Sequence, residues 1–86
     1  MKAPTIHLNG TSKTALLDAA KDARDGVREA RNRLQPVYPN GRDYYPQGET
    51  AHRIAVDEWL DLDKKLRDVD EALTRLVVEI ADQGRQ

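Results

Sequence analysis

Two long stretches of the chain carry apolar residues at alternating spacings of three and four, and a proline-rich segment separates them. This repeat lines one side of an α-helix with apolar side chains and is typical of helices that pack against each other. The first stripe consists of Leu16, Ala20, Ala23, Val27, Ala30 and Leu34. The second consists of Ala55, Trp59, Leu62, Leu66, Val69, Leu73, Leu76 and Ile80. We therefore predict an all-α fold, a long antiparallel helical hairpin.

Local signals set the boundaries of this hairpin. A hydroxyl of Thr11 or Ser12 can cap the first helix, and Pro36 disfavours helical geometry in the residue before it. We predict one domain over 1–86, with an arm at 1–11, helices at 12–35 and 49–83, and a loop at 36–48. The arm residues Ile6 and Leu8 are expected to cover the end of the second helix.

The small size of the chain predicts self-association. With 86 residues, of which 38% are hydrophobic and 34% charged, one copy buries little core. A hairpin also buries only one stripe per helix, so further apolar residues are left to contact another copy. These are Leu17, Ile54, Val56, Leu60 and Val77. We predict a homo-oligomeric helical bundle, in which the helices pair either within or between chains.

Composition argues against several classes of function. A net charge of −1 lacks the basic excess that duplex nucleic acid requires, and the absence of cysteine excludes disulfides and thiolate metal sites. No apolar run reaches the roughly 20 residues of a membrane span, and residues 1–8 do not resemble a secretory signal. Catalytic motifs are also missing, so we expect no enzyme, metal or cofactor. The carboxylates of the second helix and the cluster Arg24, Arg28 and Arg31 are interpreted as solvated faces.

The loop is the most informative segment for function. Three prolines and Asn40-Gly41 predict a stiff path, and 13 residues is long for a connection between helices. From Arg24 to Arg53 the chain has six basic and four acidic residues, so the loop half is mildly positive. Aromatic rings that stack on a base, beside guanidinium groups that pair with phosphate, would form a nucleotide site. The backbone N–H groups at the start of the second helix, near Gly48, favour an anion as well.

The candidate binding residues of the loop are Tyr38, Asn40, Arg42, Asp43, Tyr44, Tyr45 and Arg53. We expect the tyrosines to stack on the base, and Arg42 and Arg53 to pair with phosphate. Asn40 and Asp43 would shape the loop or contact a ribose. Thr11 and Ser12 form a second candidate anion site at the other end of the hairpin. In the alternative interpretation, the tyrosines only pack the hairpin tip and the hydroxyls only cap a helix.

Two segments of the chain resemble known sequences. Thr5–Ser12 (TIHLNGTS) and Pro39–Pro46 (PNGRDYYP) resemble segments of small proteins of tailed phages and prophages of Proteobacteria. The resemblance covers most of the chain and implies two helices around the same loop. The architecture is also similar to the phage sponge proteins that counter CBASS and Thoeris immunity. Those are small oligomeric helical hairpins that sequester cyclic nucleotide or cyclic ADP-ribose signals between protomers.

These observations lead to one functional hypothesis and two alternatives. The chain is predicted to be a non-catalytic phage accessory protein, in the cytoplasm of the bacterial host, that sequesters a nucleotide-type immune signal. One alternative is an inhibitor or adaptor that binds a host protein, since Tyr and Arg are also enriched at protein interfaces. The other is a small structural protein of phage assembly. The expected partners are therefore a second copy of the chain and either a nucleotide-type ligand or a host protein.

Overall fold

The computed structural model describes residues 1–83 and confirms a helical hairpin. Helix α1 spans Lys13–Leu34 and helix α2 spans Glu49–Asp82. Two short 3₁₀ helices, Gln35–Val37 and Gly41–Tyr44, lie in the connection between them, and residues 1–83 contain no β-strand. The two α-helices run antiparallel, and the molecule is 62 Å in its longest dimension. Both helices end within one residue of the predicted boundaries.

The most deeply buried part of the molecule lies at the arm end, where the arm, the start of α1 and the end of α2 meet. Ile80 is only 1% exposed and packs with Ala20, Leu76 and Val77. Ile6 of the arm packs against this cluster, as expected. The corresponding expectation for Leu8 is wrong, because its side chain is 99% exposed. The arm turns away from α2 at that point, where the N–H of Gly10 donates to the carbonyl of His7.

Gln83 fastens the arm to the end of α2. Its side-chain amide donates to the carbonyl of Pro4 at 2.6 Å and accepts from the N–H of Ile6 at 2.9 Å. The ammonium group of Lys13 donates to the Gln83 carbonyl at 2.6 Å. These bonds satisfy backbone groups of an extended arm that has no strand partner. They hold Ile6 over the core.

The two helices face each other along a seam that differs from the predicted stripes. Seam residues are buried or half-buried and recur at spacings of three and four on each helix. On α1 they are Leu17, Ala20, Arg24, Val27, Arg31 and Leu34. On α2 they are Val56, Trp59, Asp63, Leu66, Asp70, Leu73, Val77 and Ile80. Leu17, Val56 and Val77, which were predicted to be left over for another copy, therefore belong to the protomer.

Four predicted stripe residues are exposed instead. Leu62 and Val69 are 49% and 45% exposed, and Ala23 and Ala30 are also exposed. Each precedes a charged seam residue by one position, or about 100°, and the other half of each stripe stays in the seam, so the predicted contact is rotated by about 50°. The hydrophobic pattern misassigned these positions because side chains of opposite charge, like apolar side chains, can pack between two helices. Ile54 and Leu60 remain exposed, at 53% and 51%, as expected.

Ion pairs cross the seam at its middle. Nε of Arg28 lies 3.0 Å from a carboxylate oxygen of Asp70, and Nε of Arg31 lies 3.2 Å from one of Asp63. Side-chain exposure is 14% for Asp70 and 16% for Asp63. The interpretation as solvated faces is therefore wrong for Arg31, Asp63 and Asp70, whereas Arg28 is exposed although it is paired. The long aliphatic parts of the arginines fill space between the helices while their charges meet carboxylates across it.

The buried cluster predicts a graded effect of core truncation. Replacing Ile80→Val removes one methylene group from a closed site, which costs about 1 kcal/mol of unfolding free energy. Val78→Ala is the control, because Val78 is 52% exposed on the same turn, and surface changes of this kind stay within about 0.5 kcal/mol. Urea denaturation followed by circular dichroism measures both. If both variants lost the same unfolding free energy, the core would not lie at Ile80.

The seam ion pair predicts a pH-dependent stability. The hydrogen bond from Arg28 lowers the pKa of Asp70 below its ordinary value of 3.8, and the hydroxyl of Thr74 adds to the effect. A lowered folded-state pKa stabilises the fold above about pH 4, and this contribution is lost as the pH falls through that pKa. Asp70→Asn should therefore be less stable than the wild type at neutral pH, and the difference should narrow at about pH 2 to 3.

The matched control is Asp57→Asn, which removes an exposed carboxylate from the same helix. Urea midpoints measured at several pH values follow both variants. If the Asp70→Asn deficit were the same at acidic and neutral pH, the ion pair would not be its source.

Candidate functional site

The loop end of the hairpin, residues 35–48, is an ordered turn rather than a flexible linker. The side-chain oxygen of Asn40 accepts from the N–H of Arg42 at 3.0 Å and caps the second 3₁₀ helix. The carbonyl of Tyr44 accepts from the N–H groups of Gln47 and Gly48, both at 2.9 Å. These bonds satisfy the backbone locally and fix the position of the side chains between them.

An aromatic pair anchors the first half of the loop to α2. Nε1 of Trp59 donates to the carbonyl of Leu34 at 3.0 Å, which satisfies a carbonyl at the end of α1. The ring of Tyr38 meets the Trp59 ring edge-on, with centroids 5.0 Å apart and planes at 77°. This geometry is a favourable aromatic contact. Tyr38 therefore packs the hairpin tip, as the alternative interpretation of the loop expected.

His52 anchors the second half of the loop. Its Nε2 donates to the carbonyl of Pro39 at 3.2 Å, since a carbonyl can only accept. The imidazole also lies against the ring of Tyr44, with centroids 5.6 Å apart. Pro39 itself is buried. The first turn of α2 and the second 3₁₀ helix are thereby held at a fixed separation.

A cavity of about 340 Å³ opens between these two elements. This volume lies at the lower end of the roughly 300–1,000 Å³ range of small-molecule sites. The ring of Tyr45 is 78% exposed at the cavity and is free to stack on a ligand. Gly41, Tyr44, Tyr45, Gly48, Glu49 and His52 line the cavity.

The start of α2 contributes a positive helix end to the cavity. Gly48 is the N-cap residue of this 34-residue helix, and no side chain accepts from the N–H groups of the first turn. Uncapped N–H groups and the helix dipole attract an anion at this position. Glu49 is the acidic residue of that turn, and its carboxylate partly offsets the attraction. The cavity thus combines an aromatic surface with a weakly anion-selective edge.

The structure divides the predicted loop residues into two groups. Tyr44 and Tyr45 line the cavity, whereas Tyr38 lies on Trp59. The remaining loop candidates are exposed and lie outside the lining; they are Asn40, Arg42, Asp43 and Arg53. Gly41 and His52 join the lining, although neither was among the binding residues predicted from the sequence. Both could have been identified from their positions in the sequence, because each lies within one turn of the start of a helix that faces the loop.

The second predicted anion site has a simpler role. Oγ of Ser12 accepts from the N–H of Ala15 at 3.1 Å, which makes Ser12 the N-cap of α1. Thr11 is exposed beside it. Both lie at the arm end, away from the tyrosine cavity. This geometry matches a helix cap, and Thr11 and Ser12 remain separate from the loop candidates.

A charged groove runs along one side of the hairpin, which sequence analysis missed. It has two adjoining hollows of about 430 Å³ and 470 Å³. Arg28 and Arg31 are engaged by carboxylates across the seam, and Nε of Arg24 is buried with no hydrogen-bond partner. The groove has no aromatic ring in its lining, so it offers no surface for stacking. It is lined by Arg28, Arg31, Asn32, Gln35, Arg67, Asp70, Glu71, Thr74 and Arg75.

The chain matches no protein-family model, curated protein or solved structure at a significant level. Within residues 1–83, no helix is long and apolar enough to cross a membrane. The same residues contain no group of three or more His, Cys, Asp or Glu side chains placed to hold a metal ion. The function of the loop end must therefore be argued from its own geometry.

The shape of the cavity depends on a glycine at position 48. Gly48 has φ +96°, a region that side-chain-bearing residues rarely adopt. Gly48→Ala should therefore lower the unfolding free energy by about 1 kcal/mol or more. In Gly41→Ala, the new methyl group would meet His52 at an ordinary contact distance of 3.8 Å, so this control should be tolerated. Thermal denaturation compares the two variants, and equal stability would contradict the backbone conformation at Gly48.

Proposed function

We propose that this protein binds and sequesters a nucleotide-type small molecule at its loop end, without catalysing a reaction. The observation that carries the proposal is the exposed ring of Tyr45 beside the uncapped start of α2 in one cavity. The ligand is of the kind that bacteria use as an immune signal, and a phage protein that withholds it would block the host response. Binding itself is then the activity.

The chemistry of the cavity fits one nucleotide unit. An aromatic ring stacks on any nucleobase because every base has a flat π-face. The N–H groups at the start of α2 favour the negative phosphate. A volume of about 340 Å³ suits one base with its sugar rather than a whole dinucleotide. Arg42 and Arg53 lie outside the lining, so in this proposal their part is to raise the local concentration of anions.

The lining supports binding rather than turnover. Its ionisable groups are Glu49, His52 and the phenols of Tyr44 and Tyr45. Nε2 of His52 is committed to the Pro39 carbonyl, so this nitrogen is not available as a base. The lining also contains no serine, threonine, cysteine or lysine to act as a nucleophile.

Protein binding is the second candidate function. Three apolar or aromatic side chains at the tip are exposed: Val37 at 63%, Tyr38 at 48% and Tyr45 at 78%. Exposed tyrosines of this kind are enriched at the energetic centres of protein interfaces. A host protein that contacts the tip would use Val37 as well as Tyr45. A nucleotide in the cavity would not need Val37.

Calorimetric titration tests ligand binding directly. The probes are a cyclic mononucleotide, a cyclic dinucleotide and ADP-ribose, each titrated into the wild-type protein. We expect saturable binding of at least one of them. Tyr45→Ala should weaken that binding about 5- to 100-fold, since stacking contributes roughly 1–3 kcal/mol per base. Glu49→Gln should tighten ligand binding by about two- to fivefold, because the Glu49 carboxylate opposes an anion at the start of α2. A single charge at a helix start contributes roughly 0.3–1 kcal/mol to such an interaction.

Val37→Ala is the matched control, because it truncates an exposed loop residue outside the lining. Its affinity should equal that of the wild type. If none of the three probes gave heat, the nucleotide proposal would fail. Unchanged affinity in Tyr45→Ala would place any binding elsewhere on the protein.

A further inference from the structure

One side of the hairpin exposes apolar residues from both helices. We define this apolar face by Ala23 and Ala30 of α1 and Leu62 and Val69 of α2. All four are exposed, although neighbouring positions on each helix are packed in the seam. Gly26 extends the face, since a side chain added there would meet nothing within 4 Å. The face has small side chains on one helix and large ones on the other.

Helical geometry places these residues on the same side of the hairpin. Each precedes a seam residue by one position, which rotates it by about 100° from the seam. Because the helices run antiparallel, the same rotation on both directs the four side chains to one side. Residues that follow seam positions, such as Arg28, Asn32, Arg67 and Glu71, line the charged groove on the opposite side. The hairpin is thus apolar on one side and charged on the other.

The seam ion pairs fix the heights of the four residues along the hairpin. Arg31 reaches Asp63 and Arg28 reaches Asp70, so the Arg28–Arg31 stretch of α1 lies beside the Asp63–Asp70 stretch of α2. Ala30 therefore lies at a height between Leu62 and Val69. Ala23, seven residues further along α1, lies beyond Val69. Small and large residues alternate along the face, with the small ones on α1 and the large ones on α2.

We propose that a second copy of the chain covers this face through a twofold axis parallel to the long dimension of the hairpin. Rotation about such an axis leaves every residue at its own height and places α1 of one copy over α2 of the other. Val69 then fits between the heights of the partner's Ala30 and the partner's Ala23. The product is a four-helix bundle with both loops at one end.

Side-chain size selects this symmetry over the alternative. A twofold axis across the hairpin would place α1 over α1 and α2 over α2. Leucine and valine would then oppose their own kind, while alanines would face alanines across an unfilled gap. Protein interiors are close-packed, and both overpacking and voids destabilise them. Large side chains against small ones fill the interface evenly.

Charges beside the face agree with the same arrangement. Each protomer has a pair on α1, Arg33 with Glu29, and a pair on α2, Lys65 with Asp61. The seam register brings Glu29 close to the height of Lys65, and Arg33 close to the height of Asp61. In the proposed bundle, where both hairpins point the same way, each of these charges therefore lies near a charge of opposite sign on the partner. Such complementarity favours a specific partner, in this case the same chain.

The protomer also needs this contact for its stability. Within residues 1–83 the buried apolar side chains are Ala20, Trp59, Leu76, Val77 and Ile80. Apart from Trp59 they lie at the arm end, so the middle of the hairpin is held by ion pairs and by apolar seam residues that are only half-buried, such as Val27 and Leu66. Small domains with a core of this size usually depend on a partner, a metal or disulfides. A second copy supplies the missing layer, whether or not a ligand is bound.

The first experiment measures mass in solution. Light scattering after gel filtration at about 100 µM should give twice the chain mass of 9.7 kDa. Leu62→Glu should weaken the dimer at least 100-fold. Leu60→Glu is the matched control, since Leu60 is 51% exposed and Leu62 is 49% exposed on the same helix. A monomeric wild type, or a dimer unaffected by Leu62→Glu, would overturn the proposal.

The second experiment tests the symmetry and does not depend on a destabilised variant. The chain has no cysteine, so single replacements give unambiguous disulfides. A mixture of Ala30→Cys and Lys65→Cys proteins should form a disulfide-linked dimer of one chain of each kind on oxidation. Neither variant should cross-link with itself, because identical residues lie on diagonally opposite helices of the bundle. Efficient self-linking of either variant would overturn the parallel arrangement.

Discussion

The ion pairs between Arg28 and Asp70 and between Arg31 and Asp63 determine the rest of this structure. Arg31, Asp63 and Asp70 lie in the seam of the hairpin, at positions that an ordinary helical pair fills with leucine or valine, and Arg28 reaches Asp70 from the edge of the seam. Pairs of this kind add little net stability, since the cost of removing charges from water offsets much of their attraction. They do penalise any sliding or rotation that separates the charges. The register of α1 against α2 therefore depends on electrostatic matching in the middle of the hairpin.

Apolar packing completes the hairpin at its two ends. At the arm end, Ile80 closes a small core that the arm covers, and Gln83 holds that arm by two hydrogen bonds and the start of α1 by a third. At the loop end, Trp59 and His52 each donate to a backbone carbonyl, of Leu34 and Pro39 respectively. Both anchors come from α2 and lie one heptad apart. The order of the loop, and hence the shape of its cavity, depends on the same helix that provides the seam carboxylates.

Sequence patterns predicted the helices well and their rotation poorly. Proline and glycine at the loop, a hydroxyl cap at Ser12 and the spacing of apolar residues locate both helices within one residue. The same spacing placed Leu62 and Val69 in the seam because a hydrophobic stripe does not reveal which of two adjacent rows faces the partner helix. Asp63 and Asp70 have the same period and were overlooked as solvated charges. A search for opposite charges at matching spacings on the two helices would have found them.

The loop shows a similar limit. Composition indicated a tyrosine- and arginine-rich tip. It could not show that the ring of Tyr38 packs against Trp59 while the ring of Tyr45 stays exposed. Nor could it place His52 at the cavity, since that depends on a hydrogen bond to a carbonyl 13 residues earlier. Local rules describe caps and turns, where partners are close in sequence. Contacts between different elements decide which aromatic ring stays exposed to a ligand, and these contacts form only in the folded chain.

This hairpin has charged residues among the apolar residues of its seam and further apolar groups on one outer side. The arrangement connects the register to assembly, because the seam aspartates leave Leu62 and Val69 facing outward and fix the heights at which they meet another surface. The twofold symmetry proposed for the dimer would also place both loop cavities at one end of the bundle. If each cavity binds one nucleotide unit, as proposed above, a ligand with two such units would meet two equivalent tips. The same seam contacts would then set both the protein interface and the spacing of its binding sites.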